Sequence, residues 1–395
     1  MRILTIDIGT GTQDIYLYDS RLDLENGFKL IVPSPTMIVY RRLQEAARRG
    51  EAVALTGVTM GGGPSGWAAE AYMKAGLPLY ATPPAARTFN DDLAAVQASG
   101  IQVISEEEVL GLPAQVRRLR LCDFDFPAIA TAFAAFGVSL NQLDAVAAAV
   151  FDHGAAPPEV SDRQFRFDYL EERLRQTNRL AAFAYRADQI PPIMTRLQAV
   201  ADSAREIDAP LVVMDTAPAA ILGSLFDPQA RRRKRLLAAN VGNFHTLAFR
   251  LGAPEGDRPA SRPIEGVFEH HTGLLHRARL ESLLRALAAG QLRHADVFND
   301  HGHGALVYQH EALPLGEADF DVMVSGPRRA MLHEALPGEL QPLRPYFAVP
   351  FGDMMIAGCF GLLAATAERL PDLAGPIWRS LSNAGGQGKP PWETD

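Results

Sequence analysis

The sequence predicts a two-lobed α/β protein in which mixed sheets are flanked by helices. Three observations lead there. The chain has 395 residues, more than one hydrophobic core ordinarily supports, so two lobes are the starting expectation. Apolar strand-like segments alternate with Ala-rich segments closed by glycine, the rhythm of parallel or mixed sheets covered by helices. One pattern also occurs twice, at 1–19 and at 236–252. In each case an apolar strand ends in a polar residue, a Gly-centred turn follows, and a second strand leaves.

The elements follow in order. "MRILTIDIGTGTQDIYLYD" reads as two strands around a turn of small residues. "EAVALTG" is a strand, "GGGPSG" a loop, and "WAAEAYMKAG" a helix closed by Gly76. "LPLYAT" and "IQVIS" are strands with the helix "FNDDLAAVQASG" between them. "VRRLRLCDFD" is a strand, and "PAIATAFAAFG" a helix with Pro127 early and Gly137 after its end. The charged run within 163–185 reads as a solvated helix face. "LVVMD" is a short buried strand that runs into "TAPAAILGSLFD". "RRRKR" (231–235) reads as a basic linker. The second hairpin follows, then the strand "IEGVFEHHTG" and a helix with Leu280, Leu283, Leu284 and Leu287 on one face. "FDVMVSGPRRAMLHEAL" reads as strand, turn and helix. The division is a first lobe over 1–235, a second over 236–352, a closing helix over 353–375 and a flexible tail over 376–395.

Composition narrows the function. The apolar fraction is 47% and the charged fraction 21%, as in an ordinary globular protein. A net charge of −8 argues against nucleic acid or an anionic membrane as partner. No stretch has the apolar length of a membrane span, and "MRILTIDIG" is no signal peptide, so the expected location is cytoplasmic. Cys122 and Cys359 are the two cysteines. They supply neither a disulfide framework nor the three-cysteine cradle of a radical iron–sulfur enzyme.

The turns carry the chemistry. A Gly- and Thr-rich turn offers several N–H groups and hydroxyls on one concave side, which suits phosphate oxygens. Asp7 at the strand end suits Mg²⁺. "ILTIDIGTGTQDI" resembles the first phosphate motif of the actin-like ATPase superfamily, which includes actin, chaperone ATPases and sugar kinases. "NVGNFHT" (240–246) resembles the second, "VVMDTAPAAILGSLFD" the segment connecting the lobes, "DVMVSGPRR" the adenosine motif, and "PFGDMMIAGCFGLLAA" the closing helix. Within the superfamily the chain most resembles a family labelled pyruvate-formate-lyase-activating-enzyme-like. That label implies radical chemistry, and the cysteine count opposes it.

The resemblance implies an actin-like (ribonuclease H-like) fold with ATP and Mg²⁺ in an interlobe cleft. Asp7 would be the Mg²⁺-side carboxylate. Gly9, Thr10, Gly11 and Thr12 would cradle the outer phosphates, and Gly242, Asn243, His245 and Thr246 would hold them from the other side. Ser325, Gly326 and Pro327 would border the adenosine. Gln13 and Asp215 would face the cleft and position the attacking water. Two positions depart from the pattern. Asn240 stands where the second phosphate motif starts with Asp, and Ser325 where the adenosine motif has its first Gly. The expected function is a slow, switch-like ATPase coupled to a small-molecule or protein partner. The alternatives are a small-molecule kinase with Asp215 as base, or a metal-binding protein without nucleotide turnover.

The metal alternative rests on histidines. His301 and His303 form an H-x-H, which on a strand puts both imidazoles on one face, and His270 is a neighbour in "FEHHTG". Such a set suits a transition metal. The same residues also read as turn and surface histidines, and no C-x-x-C or H-E-x-x-H accompanies them.

Overall fold

The computed structural model describes residues 1–157, 159–256, 258–333, 342–382 and 391–393. Strands β1 (Arg2–Ile8), β2 (Thr12–Asp19) and β3 (Phe28–Pro33) form an antiparallel meander. The chain then leaves to build a separate parallel sheet from β4 (Val53–Gly57), β5 (Leu79–Ala81), β6 (Gln102–Val103) and β7 (Arg117–Leu121), in the order β6-β5-β4-β7. It returns with β8 (Ala145–Val150), β9 (Ala184–Arg186) and β10 (Leu211–Asp215), which complete a first sheet ordered β3-β2-β1-β8-β10-β9. Helices cover both faces of this sheet, so β8, "AVAAAV", is buried at every residue and shows no polar alternation.

The second lobe repeats the plan. Its strands are β11 (Leu236–Val241), β12 (His245–Leu251), β13 (Ile264–His271), β14 (Gly304–Val307), β15 (Val322–Ser325) and β16 (Pro345–Phe347). They are ordered β14-β13-β12-β11-β15-β16. In both lobes an antiparallel run, three strands in the first and four in the second, is followed by a strand that pairs in parallel with the first of the run, β8 on β1 and β15 on β11. Apart from the edge strands β9 and β14 the two sheets share one order, as the actin-like, ribonuclease H-like fold expected from the sequence requires, and the parallel sheet is inserted between β3 and β8 of the first lobe.

Two helices join the lobes. One, Thr216–Ser224, follows β10; the other, Ala357–Arg369, comes back from the second lobe and packs on it. Both are rich in Ala and Gly, and both are buried nearly all round, as a helix apolar on every face must be. Their backbones touch. A Cβ on Gly361 would collide with the Ala219 carbonyl, and one on Gly223 with the Ala357 carbonyl.

The closing helix is thus Ala357–Arg369, shorter than the expected 353–375. A further helix, Pro371–Ser382, occupies the start of the segment read as a flexible tail. Ile377 and Leu381, four residues apart, bury the same face of it and outweigh the local Gly and Pro content. The rest of that reading falls mostly outside the described residues. No helix among the described residues is long and apolar enough to cross a membrane.

The crossing gives a stability test. Gly361→Ala should destabilise the protein by about 1–3 kcal/mol or more, because the added methyl has only rigid backbone to meet. Gly111→Ala, at a helix end with open space around it, should stay within about 0.5 kcal/mol. Urea unfolding of both variants measures the difference, and equal midpoints would show that the helices do not touch at Gly361.

Candidate functional site

The two hairpins meet across one cleft. In each, the N–H of the first turn glycine donates back across the turn, Gly9 to the Thr12 carbonyl at 2.9 Å and Gly242 to the His245 carbonyl at 3.0 Å. Equivalent places follow: Asp7 and Asn240 each lie two residues before that glycine. The turns face each other closely enough that a Cβ on Gly11 would lie 2.9 Å from the Asn243 side-chain nitrogen. Asp7, Gly9, Thr10, Gly11, Thr12, Asn240, Gly242, Asn243 and His245 line a cleft of about 950 Å³, and Ser325, Gly326 and Pro327 line its wall. That volume lies within the range of small-molecule sites. Gly326 has φ +95° and leaves room for the Val241 carbonyl beside it, so the third turn is fastened to the second. The parallel sheet closes another side. Its loop Gly61–Gly63 lines the cleft, and Trp67 meets Phe244 edge-on at 5.4 Å.

Asp7 lies at the floor. Thr216 Oγ1 donates to its Oδ1 at 2.5 Å, and Gly358 leaves room for the carboxylate where any side chain would strike it. Burial pushes the Asp7 carboxyl up to about 7, with Thr216 opposing and Asp215 adding to the rise. Asp14 is its cross-strand partner, so the two side chains share one face of the sheet. Burial and the neighbouring Asp7 push Asp14 up to about 8, and its Oδ1 is buried without a hydrogen bond. Two close carboxylates with an unpartnered oxygen are a donor set for a hard cation.

Four expected site residues sit elsewhere. Gln13 does not line the cleft: the strand alternates faces, so Gln13 turns away and donates to the Pro33 carbonyl at 3.1 Å, and Asp14 takes the cleft side. Thr246 is fully buried, with its hydroxyl 2.9 Å from that of Thr272. His270 turns to the same inner face as Thr246, its register partner, and its Nε2 lies 3.5 Å from Asp300. His301 is exposed in a left-handed turn at φ +64°, so the H-x-H does not lie on a strand. A fifth, Asp215, faces not open cleft but an ion network. Its carboxylate pairs with Arg166 and caps the helix Thr216–Ser224 through the Ala217 N–H. Burial raises its pKa, and Arg166 opposes that rise.

Arg166 belongs to the run expected to be a solvated face, yet it is 2% exposed. It lies between Asp215 of the first lobe and Glu269 of the second, 3.2 Å from Glu269 Oε2. Burial alone would raise the Glu269 carboxyl; Arg166, His303 and His245 hold it well below the ordinary carboxylate range.

Around Glu269 gathers a different histidine set from the expected one: His245, His271 and His303, with ligand nitrogens within 4.8 Å of one another. His245 and His271 are register partners on β12 and β13, and Glu269, two residues from His271, shares their face. Burial, with the neighbouring His245, lowers His271 to about 4. Burial lowers His303 to about 3, against the pull of Glu269.

The family model described as "Putative pyruvate format-lyase activating enzyme (DUF1786)" matches residues 60–331. No curated protein matches the chain. Among solved structures, an "exopolyphosphatase-like protein" is similar with 11% identity and a TM-score of 0.23, covering 69% of this chain. The chain spans only 50% of that protein's length. A protein of Listeria monocytogenes described as "a putative N-acetylmannosamine kinase" is similar with 9% identity and a TM-score of 0.32, covering 97% of this chain and 99% of that one.

The carboxylate pair predicts a pH dependence. Both carboxyls are raised, to about 7 and about 8. From about pH 4 up to those values the unfolded chain has released protons that the folded protein keeps. The unfolded state then binds fewer protons, so this pair makes stability fall as pH rises. In chelator, Asp14→Asn should therefore gain stability relative to the wild type between about pH 5 and 8. Urea unfolding across that range measures it, and a pH-independent difference would mean that the two carboxylates do not share a buried site.

Proposed function

The chain belongs to the family whose description is quoted above, and we propose that it is a Mg-ATP-binding protein of the actin-like fold that hydrolyses ATP slowly, coupled to a small-molecule or protein partner. One observation carries this: two equivalent Gly turns, one from each lobe, face each other over a cleft with a carboxylate pair on its floor. Their N–H groups and the Thr10 and Thr12 hydroxyls would take the outer phosphates. Ser325, Gly326 and Pro327 would border the adenosine.

The residues present fit Mg²⁺. Asp7 and Asp14 would hold it, directly or through its waters, and the unpartnered Asp14 Oδ1 supports that role. When bound, Mg²⁺ neutralises charge at the β- and γ-phosphates. Asn240 donates to Ser325 Oγ at 3.1 Å and brings no charge, so the second lobe would orient without holding the cation firmly. That supports slow turnover.

The family description points instead to radical chemistry. The chain has two cysteines, both buried, Cys122 beyond the end of β7 and Cys359 in the closing helix, and these do not make a three-cysteine cradle. A small-molecule kinase would need a free carboxylate base, and Asp215 is held by Arg166.

Calorimetric titration with Mg-ATP and Mg-GTP should show binding of at least one below millimolar, the weak end of useful affinity at about −4 kcal/mol. Hydrolysis should be well under about 1 per second, the low end of typical enzymes. Asp7→Asn should lower it by roughly 10²-fold or more, as removing one charge-stabilising group does. Asn240→Asp should raise turnover or Mg²⁺ affinity. No binding of either nucleotide would overturn the proposal; fast wild-type hydrolysis slowed by Asn240→Asp would overturn the role given to Asn240.

A further inference from the structure

We propose that His245, His271 and His303 bind one divalent transition metal ion, zinc or a first-row neighbour, directly behind the second phosphate turn. The three come together through the sheet. His245 opens β12 and is paired in register with His271 at the end of β13. His303 precedes β14, and its N–H donates to the Glu269 carbonyl at 2.9 Å, which fastens that loop alongside. Ring centroids lie 4.6, 5.0 and 5.1 Å apart.

Packing alone leaves this cluster unexplained. Buried polar atoms nearly always have partners. Here His303 Nδ1 is buried without a hydrogen bond, His245 Nδ1 has only the misaligned Glu269 Oε1 3.1 Å away, and Glu269 and His303 are 0% and 3% exposed. A cation among the rings would take one imidazole nitrogen from each histidine, which lie within 4.8 Å of one another.

The donor set selects the ion. Three imidazoles with no thiolate suit zinc, iron(II), cobalt or nickel, whereas Mg²⁺ and Ca²⁺ call for oxygen ligands. Three histidines are the ligand count of a zinc site that keeps a fourth position open. Glu269 serves as the outer carboxylate. Its Oε1 lies 3.1 Å from His245 Nδ1 and 3.7 Å from His303 Nε2, and its Oε2 is held by Arg166. Metal-bound histidines commonly lean on such a carboxylate. His245 also lines the cleft and stacks on Phe151 at 4.0 Å, so the ion would sit just behind the wall that faces the phosphates.

The site is tested with the metal alone. Elemental analysis of protein purified without chelator should find close to one equivalent of a first-row metal. Chelator-treated protein titrated with Co²⁺ should bind one equivalent and develop the visible absorption of a four-coordinate ion. His271→Ala and His303→Ala should lose most of this binding, and Glu269→Gln should weaken it by about 10–100-fold, as loss of an outer-shell partner does. His301→Ala, the exposed neighbour, should bind as the wild type does. Should His303→Ala not fold, the half-buried His271→Ala and the wild-type titration decide. Metal-free wild type with no saturable Co²⁺ binding below about 1 mM, some −4 kcal/mol, would overturn the proposal. So would folded His271→Ala with unchanged binding. The site does not depend on nucleotide: metal binding without Mg-ATP binding would overturn the proposed function and leave this site standing.

Discussion

The cleft depends on one backbone-to-backbone contact between the helices Thr216–Ser224 and Ala357–Arg369. At Gly223 and Gly361 neither helix can carry a side chain, because each glycine lies against the other helix's carbonyl. Such an approach fixes both the distance and the rotation of the helices, since interiors are close-packed and give little. The consequence reaches the site within three residues. Gly358, one turn before Gly361, lies under the Asp7 carboxylate, and Thr216 at the start of the partner helix donates to it. Cys359 between them donates to the Asp14 carbonyl at 3.1 Å. Moving either helix would move the floor on which both carboxylates stand.

The duplication of the lobes is geometric and not electrostatic. The register that sets Asp7 opposite Asp14 in the first lobe sets Asn240 opposite Leu247 in the second. Both members of the equivalent pair are thus neutral, and the charge at the cleft floor belongs to one lobe. The second lobe places a buried carboxylate elsewhere, at Glu269, on the strand neighbouring β12. That carboxylate is held by Arg166 from the first lobe, which also holds Asp215. A buried ion triad of this kind is weak evidence for stability, because desolvation offsets the attraction. Removing its central cation would nonetheless leave two carboxylates buried without compensation. Arg166 thus joins the two lobes through a single buried guanidinium.

The hairpins were legible in the sequence because Gly-rich turns between apolar strands need few residues to declare themselves. The repeat of the hairpin was legible from the same signal, whereas the order of the remaining strands depends on pairing between distant segments. Errors arose where a side chain's direction depends on strand phase. Gln13 and Asp14 differ by one position, as do His270 and His271 and also His245 and Thr246, and a one-residue change of phase exchanges the faces of a strand. Only the pairing across strands decides between them. The charged run around Arg166 hid its one buried charge because period and composition do not reveal a partner more than a hundred residues away. In the same way the H-x-H of His301 and His303 suggested a strand, whereas a left-handed turn at His301 separates the two. The Asp14 position carried a signal that could have been used: a charged residue two places beyond a turn Thr, opposite Asp7 in any tight hairpin.

Among the contacts that hold the cleft, three differ in kind. The helix crossing is backbone on backbone, with no side chain to rearrange. The Arg166 triad is fully buried, so parting it would return three charged groups to water and expose the cavity they fill. The third contact sets Trp67 and Gly63 of the parallel-sheet region against Phe244 of the second turn. Trp67 remains 57% exposed there, so this contact removes little apolar surface from water, and hydrophobic stabilisation scales with the area removed. The side of the cleft formed by the parallel sheet thus meets the second turn through a partly exposed contact, while Asp123, beyond the end of β7, ties the parallel sheet to Arg196 at 2.6 Å. That is the side on which Phe244 sits in the turn between Asn243 and His245, so any displacement of that sheet acts on the residues that face the first turn and on the wall of the histidine cluster together.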